Sequence, residues 1–343
     1  MTFAHLAMNQ EDIIKIKAEL DMPRSICLIT HRNPDGDALG SSLAMKHFLE
    51  KFNQQVKVIL PSEYPLNYAF MAGIDECHVY DLNQEECLSI IDKSDMIFCL
   101  DFNSLDRIDK IGLNVQESKA IKILIDHHLD PEPFADFVLS ETSASSTCEL
   151  VHKFIYLLGE EKKIDVTIAE SILTGLITDT GSFKYNTNAY TYQVASDLKQ
   201  RGVDDYGLQD KIYNCLSEKQ LKLLGHSLAN RMEIIPEYGA GIIALTKKDY
   251  IDYDIQRGDT EGIVNYLLMI KGIEVAAFIR EQPTIVKLSL RSKGDISVQE
   301  IARNHFNGGG HKNASGGAAY AKLEDIVARF KNVLPKYVKR REL

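Results

Sequence analysis

Short apolar blocks punctuate the N-terminal part of the chain. SICLIT (Ser25–Thr30) is nearly continuous in its apolar character, as expected of a strand buried on both faces. The following ALGSSLAMKHFLEKF places Met45, Phe48, Leu49 and Phe52 on one helical face, and QVKVIL (Gln55–Leu60) reads as the next strand. Strand, loop, helix, strand is a βαβ unit of the parallel kind. The pattern recurs in DMIFCLD (95–101) and AIKILIDHH (120–128), each ending in acidic or imidazole groups. DIIKIKAEL upstream reads as a helix, and VTIAESILTGLITDTGSFKY as a helix ending near Thr178-Asp179-Thr180.

Residues 191–235 are helical and polar and read as a connector between a domain at 1–190 and another at 236–343. Beyond Pro236 the period changes. GAGIIALT, IEVAAFIRE and TIVKLSLRS read as strands; TEGIVNYLLMI, SVQEIARNHF and LEDIVARFKNVLPKYV read as helices. NGGGHKNASGG, the most glycine-dense stretch, reads as a loop between the last two helices. The expected fold is α/β, with an N-terminal parallel sheet and a smaller C-terminal α/β domain. There is no internal repeat and no low-complexity segment.

Composition narrows this picture. The 343 residues suit one large or two ordinary domains, and 45% hydrophobic content is enough for a full core. A formal net charge of -10 argues against a protein that tracks long nucleic acid. It leaves room for short oligonucleotides or mononucleotides held by a few local cations. Neither a leader pattern nor a bilayer-spanning apolar run is visible. The six cysteines form no CxxC pair. The expected setting is therefore the cytoplasm, with reduced thiols and no membrane contact.

In a parallel sheet, ligands gather outside the carboxyl ends of the strands. His31, Asp35 and Asp37 in HRNPDGD, Asp101, Asp126-His127-His128 and Asp179 all fall at such ends of elements. Singly, each has an ordinary explanation: Asp-Gly-Asp as a turn, an aspartate as a helix cap, paired histidines as surface residues. Together on one rim they would repel each other strongly without cations. Two divalent metals fit that number of donors. Mixed carboxylate and imidazole donors suit Mn²⁺, with Mg²⁺, Co²⁺ or Fe²⁺ as alternatives, and no thiolate pattern points to structural zinc.

In the second half, Gly308-Gly309-Gly310-His311 reads either as a plain turn or as a phosphate cradle in which backbone N–H groups approach oxygen closely. It lacks the Gly-Lys-Ser/Thr ending of a Walker loop. Arg291 in LSLRS and Arg280 in AFIRE are forked donors for phosphate, each with a surface ion pair as the plain alternative.

HxNPDGD, Leu100-Asp101, Asp126-His127-His128 and Thr178-Asp179-Thr180, in this order, resemble the four motifs of the DHH phosphoesterase superfamily. The superfamily includes RecJ-type exonucleases, family II pyrophosphatases, exopolyphosphatases and cyclic-dinucleotide phosphodiesterases. GGGHKNASGG resembles the signature of the DHH-associated C-terminal domain, so the likeness covers nearly the whole chain. It implies that His31 and Asp35 bind one metal, that Asp37, His127 and Asp179 bind the other, and that Asp101 bridges both. It further implies that His128 sits beside the substrate phosphate, that Asp126 orients a histidine, and that Asn33 orients its loop. His128, Asp101 and Asp126 are thus the expected catalytic groups. Arg291, Gly309, Gly310 and His311 are the expected substrate contacts, with Arg280 as a further candidate.

Metals on one domain and phosphate-binding groups on the other imply a cleft whose closure would select short substrates. Within the superfamily, GDTEGIVNYLLMIKGIEVAAFIRE and LRSKGDISVQEIARNHFNGGGHKNASGG most resemble the bifunctional oligoribonuclease and 3′-phosphoadenosine 5′-phosphate (pAp) phosphatase group. This implies Mn²⁺-dependent release of 5′-mononucleotides from very short RNA and dephosphorylation of pAp. The alternatives are an exopolyphosphatase, a linear-dinucleotide phosphodiesterase and, with all six ligand positions filled, a less favoured non-catalytic nucleotide-binding regulator. A homodimer is allowed. Lys184 departs from the arginine expected in many relatives, keeping the charge and losing the fork.

Overall fold

The apolar blocks of the N-terminal part pair side by side, every neighbour parallel. The computed structural model describes residues 8–256 and 258–341. It divides between Cys215 and Leu216 into two units. In chain order the first unit contains α1 (Gln10–Leu20), β1 (Ser25–Thr30), α2 (Gly36–Glu50), β2 (Gln55–Leu60), β3 (His78–Val79), α3 (Gln84–Asp92) and β4 (Met96–Leu100). There follow α4 (Gly112–Glu117), β5 (Ile121–Asp126), β6 (Phe137–Ser140), α5 (Thr147–Leu157), α6 (Val166–Asp179), α7 (Ala189–Gln200) and α8 (Asp205–Tyr213).

The sheet order is β3-β2-β1-β4-β5-β6. The direction of winding reverses between β1 and β4, and in such sheets a crevice opens where the order reverses. Alternate residues of the central strands β1, β4 and β5 enter different cores, which is why β1 and β4 are almost continuously apolar. Ile26, Leu28, Phe98, Leu100, Ile123 and Ile125 pack with α2, α5 and α6. Cys27, Ile29, Ile97, Cys99 and Leu124 pack on the other side with residues of α3 and α4.

Helix α2 departs from its expected single apolar face. From Gly36 to Leu49 it is buried around nearly its whole circumference, because it runs between the sheet and the pair α5 and α6. Its small residues Gly40, Ser41, Ser42 and Ala44 make that position sterically accessible.

The helical stretch read as a connector is shared between the two units. Val194, Leu198, Leu208 and Ile212 of α7 and α8 are buried in the first unit's core. Leu223 of α9 (Glu218–Asn230) is buried in the second unit.

That second unit continues with β7 (Met232–Ile235), β8 (Ala240–Leu245), α10 (Lys247–Asp252), α11 (Ile263–Leu268), β9 (Val275–Glu281) and β10 (Val286–Ser292). It ends with α12 (Val298–His305), β11 (Gly309–His311), β12 (Ala314–Ala319) and α13 (Leu323–Tyr337). Its sheet order is β11-β12-β10-β9-β8-β7, antiparallel except for β8 with β9. The glycine-rich stretch is therefore not a loop: it is the edge hairpin β11–β12. Glycine lacks the side chains whose alternation would have marked it as strand. Among the described residues no helix is long and apolar enough to cross a membrane.

Candidate metal centre

The loop after β1 and the residue after β4 meet at the reversal point of the sheet. His31 directly follows β1, and Asp35 caps α2, its Oδ1 accepting from the Asp37 and Ala38 N–H groups at 3.0 and 3.1 Å. The cap reading and the ligand reading of Asp35 are therefore compatible, because the cap uses Oδ1 and a carboxylate has a second acceptor oxygen. Asp101 has φ of 65° and Asn33 has φ of 55°. This left-handed region is strained for most residues and best tolerated by Asn and Asp.

Three clusters of potential ligand atoms result: His31 with Asp35 and Asp101; Asp37 with His127 and Asp179; and Asp101 with His127 and His128. Asp101 divides its oxygens between neighbours. Oδ2 lies 3.4 Å from His31 Nε2, while Oδ1 lies 3.7 Å from His127 Nε2. His127 Nε2 also lies 3.9 Å from Asp37 Oδ2 and 3.6 Å from Asp179 Oδ2. The six residues expected to hold metal are thus assembled at one place. His31 Nδ1 is 3.0 Å from the Arg32 carbonyl. A proton held there and donated to that oxygen leaves Nε2 as the coordinating atom.

Asp126 stands outside the three clusters. It is fully buried, accepts the His128 backbone N–H at 3.1 Å, and lies 2.6 Å from His128 Nδ1. It fixes the ring of His128.

Close packing of α2 on α6 brings Asp179 to the others. A Cβ at Gly40 would sit 2.5 Å from the Ser171 carbonyl, and one at Gly175 would sit 2.5 Å from Asp37 Oδ1. Only glycine allows this approach at either position.

The sequence reading missed the start of α5. Thr147 N–H donates to Asp37 Oδ2 at 2.6 Å, Cys148 N–H to Asp37 Oδ1 at 2.9 Å, and Thr147 Oγ1 to Asp101 Oδ1 at 2.8 Å. Ser146 caps the helix by accepting from the Glu149 N–H at 3.1 Å. The buried Glu149 carboxylate in turn accepts from the Ser145 and Thr191 hydroxyls. The signal available in the sequence was Ser-x-x-Glu ahead of an apolar run, a helix-start signature.

Burial disfavours charge on every group here, and the groups answer according to their neighbours. For His31, burial is outweighed by Asp101 and Asp35, and its pKa rises to about 9. For His127, burial is outweighed by Asp179, Asp101 and Asp37, again giving about 9. Burial together with Asp101 and Asp179 pushes the Asp37 carboxyl well above its ordinary range. Asp179 rises to about 6, chiefly through burial and against the opposing pull of His127. Asp101 goes the other way: burial would raise it, but His31 and His128 hold it below the ordinary range. The cluster therefore holds protons where cations would bind. A site of oxygen and imidazole donors, several of them forced up in pKa by each other, fits divalent cations of the Mn²⁺ and Mg²⁺ class.

In the second unit, Val286, Leu288 and Leu290 of β10 pack with α12 and α13. Lys287, Ser289 and Arg291 alternate to the opposite face. Arg291 is half-buried; burial pushes its guanidinium down against the opposing pull of the Glu261 carboxylate, with which it forms no ion pair among the described residues. Arg291 and His311 both lie opposite Ala314, so their backbones share one rank, roughly 10 Å apart across β12.

Arg280 pairs with Lys287, whereas Arg291 pairs with Ala276. Arg280 thus stands roughly 13 Å along the sheet from that rank, where it donates to Thr260 Oγ1 at 2.7 Å and lies over the Phe278 ring. A Cβ at Gly310 would meet the Ala314 carbonyl, so the hairpin itself requires that glycine. At Gly309 a Cβ would meet nothing within 4 Å. Packing within this unit does not explain that glycine.

Residues 25–176 match the N-terminal domain of the DHH family, and residues 241–336 match the DHHA1 domain. The probable bifunctional oligoribonuclease and PAP phosphatase NrnA of Streptococcus mutans is 30% identical over 324 residues, which span 93% of this chain and 98% of that protein. The bifunctional oligoribonuclease and PAP phosphatase NrnA of Bacillus subtilis is 29% identical over 303 residues, 87% of this chain and 90% of that one. An exopolyphosphatase-related protein from Bacteroides fragilis superposes with a TM-score of 0.93 at 40% identity, covering 98% of both chains. With its metal-type clusters, its two domains and these relatives agreeing, the chain belongs to the DHH family and is a phosphoesterase of that family, its DHH domain followed by a DHHA1 domain.

Proposed function

We propose that the protein hydrolyses short oligoribonucleotides to 5′-mononucleotides and removes the 3′-phosphate of pAp, with two divalent cations, Mn²⁺ by preference. The observation that carries this reading is the division of Asp101, one oxygen toward His31 and the other toward His127. In this reading His31 and Asp35 hold one cation, Asp37, His127 and Asp179 hold the other, and Asp101 serves both. Bound cations supply Lewis-acid charge on the phosphoryl oxygens and a water of lowered pKa. The protein's own groups do the rest. Asp126 fixes the ring of His128, so that His128 can hydrogen-bond a phosphate oxygen or protonate the leaving group. Arg291 and the backbone of Gly309, Gly310 and His311 receive a substrate phosphate, since Arg291 makes no carboxylate ion pair among the described residues and Gly309 has open space.

The names of the relatives favour short RNA and pAp as substrates. A net charge of -10 agrees with compact substrates over polymers of nucleic acid. Six unpaired cysteines agree with a cytoplasmic setting. A second reading, exopolyphosphatase, is favoured by the name of the B. fragilis structure.

The test is one panel with Mn²⁺: pAp, 5′-labelled short RNA, a linear dinucleotide, polyphosphate and pyrophosphate, each with wild type and Asp101→Ala. Faster turnover of RNA and pAp than of polyphosphate supports the first reading, and the reverse order supports the second. Equal inactivity of wild type and variant on every substrate would sink both.

A further inference from the structure

Two of the carboxylates in the centre, Asp101 directly after β4 and Asp37 on α2, come from different elements, yet a single residue on α5 touches both. Thr147 is fully buried. Its hydroxyl donates to Asp101 Oδ1 and its backbone N–H donates to Asp37 Oδ2. Both oxygens lie near His127 Nε2, at 3.7 and 3.9 Å. The other Asp101 oxygen is turned toward His31.

We infer that Thr147 is a positioning residue that keeps Asp101 in a bridging orientation, one oxygen for each cation. The inference rests on the two-cation reading above and adds a residue that this reading does not contain. A carboxylate on one torsion can chelate one ion with both oxygens or present one oxygen to each of two ions. A hydroxyl donor bound to Oδ1 occupies one lone pair of that oxygen and sets the plane of the group. The hydroxyl does not drift, because the helix start that carries it is tied down. Ser146 caps α5, and Glu149 accepts from Ser145 and Thr191. The Thr147 N–H and Cys148 N–H hold both Asp37 oxygens in the same frame. The spacing between the two cation pockets is thereby set by one hydrogen-bonded turn of α5.

Thr147→Val keeps the shape and the backbone N–H and removes only the hydroxyl. Thr147→Ser keeps the hydroxyl. Mn²⁺ titrated into the metal-free full chain is followed by calorimetry and by electron paramagnetic resonance, with melting curves confirming the fold of each variant. The expected result is two Mn²⁺ per chain with a spin-coupled spectrum for wild type and Thr147→Ser. Thr147→Val should weaken the second ion by roughly tenfold to a hundredfold, the usual effect of losing a group that orients a ligand, and should show an uncoupled spectrum at one ion per chain. Two tightly bound, coupled ions in Thr147→Val would overturn the positioning role, as would equal damage in Val and Ser variants that both fold. A wild type that binds fewer than two ions would instead overturn the two-cation reading, and this inference with it.

Discussion

Gly175 on α6 lies so close to Asp37 on α2 that a Cβ added at 175 would stand 2.5 Å from Asp37 Oδ1. The same Cβ would also meet Cys148 Sγ. The bare backbone of α6 at Gly175 thus leaves room for a carboxylate of the candidate metal centre.

Gly175→Ala is expected to displace Asp37 and loosen the α2–α6 packing. Overpacking of this kind costs about 1–3 kcal/mol, read as a lower denaturation midpoint. Mn²⁺ binding should fall with it. A variant that is equally stable and binds Mn²⁺ like wild type would show that the helices can separate at no cost.

His128 and Asp126 should separate from the ligand residues. His128→Ala is expected to lower turnover by about 10²–10⁴-fold, the usual weight of a proton-transferring group, while leaving Mn²⁺ stoichiometry unchanged. Asp126→Asn should give a smaller loss of the same kind, since Asp126 acts through the 2.6 Å contact to His128 Nδ1. Loss of bound Mn²⁺ in His128→Ala would move His128 into the ligand set.

Cation binding should release protons. In the ion-free protein His31 and His127 each have a pKa of about 9, so both are mainly protonated at about pH 8, whereas a coordinating imidazole must be neutral. The sign follows: apparent Mn²⁺ affinity weakens as pH falls below about 9, and Asp179 adds to the competition below about 6. Calorimetric titration in buffers of different ionisation enthalpy measures the proton count directly. No release near neutrality would mean that these imidazoles are not where the ions bind.

In the second unit, Asp249 gives a separate pH test of stability. It is buried and accepts from Arg231 Nε at 2.9 Å, Thr246 N–H at 2.8 Å and Thr246 Oγ1 at 2.9 Å; His226 Nε2 lies at 2.9 Å. Burial would raise its pKa, but Arg231 and the Thr246 donors outweigh it and hold the carboxyl below the ordinary range. A carboxyl with a depressed folded pKa stabilises fully above its unfolded value, about 3.9, and loses that contribution as pH falls further. Asp249→Asn should therefore cost about 2 kcal/mol at neutral pH, with the difference from wild type shrinking below about pH 4. Urea unfolding at the two pH values measures it.

Much of the first unit was legible in the chain. β1 and β2 coincide with SICLIT and QVKVIL: β1 is buried on both faces and almost continuously apolar, while Gln55 and Lys57 of β2 alternate to the exposed side. β6 went unread: it is a four-residue strand, FVLS, too short to show a period. β11 and β12 went unread because glycines carry no alternation. Thr147 went unread because its partners are 110 and 46 positions away, and no local pattern reports a contact of that range.

By itself, the sequence determined that acids and imidazoles would follow strand ends. Parallel strands bring those ends to one rim, so His31, Asp101 and His127 were bound to be neighbours. What only the tertiary structure decided is which oxygen faces which ring. That depends on α5 and α6, which reach the rim from far along the chain: the amides and hydroxyl at the start of α5 hold Asp37 and Asp101, and Gly175 lets α6 come close enough to deliver Asp179. Composition cannot specify a carboxylate's rotation, because it is set by hydrogen bonds and close packing that exist only once the helices have docked.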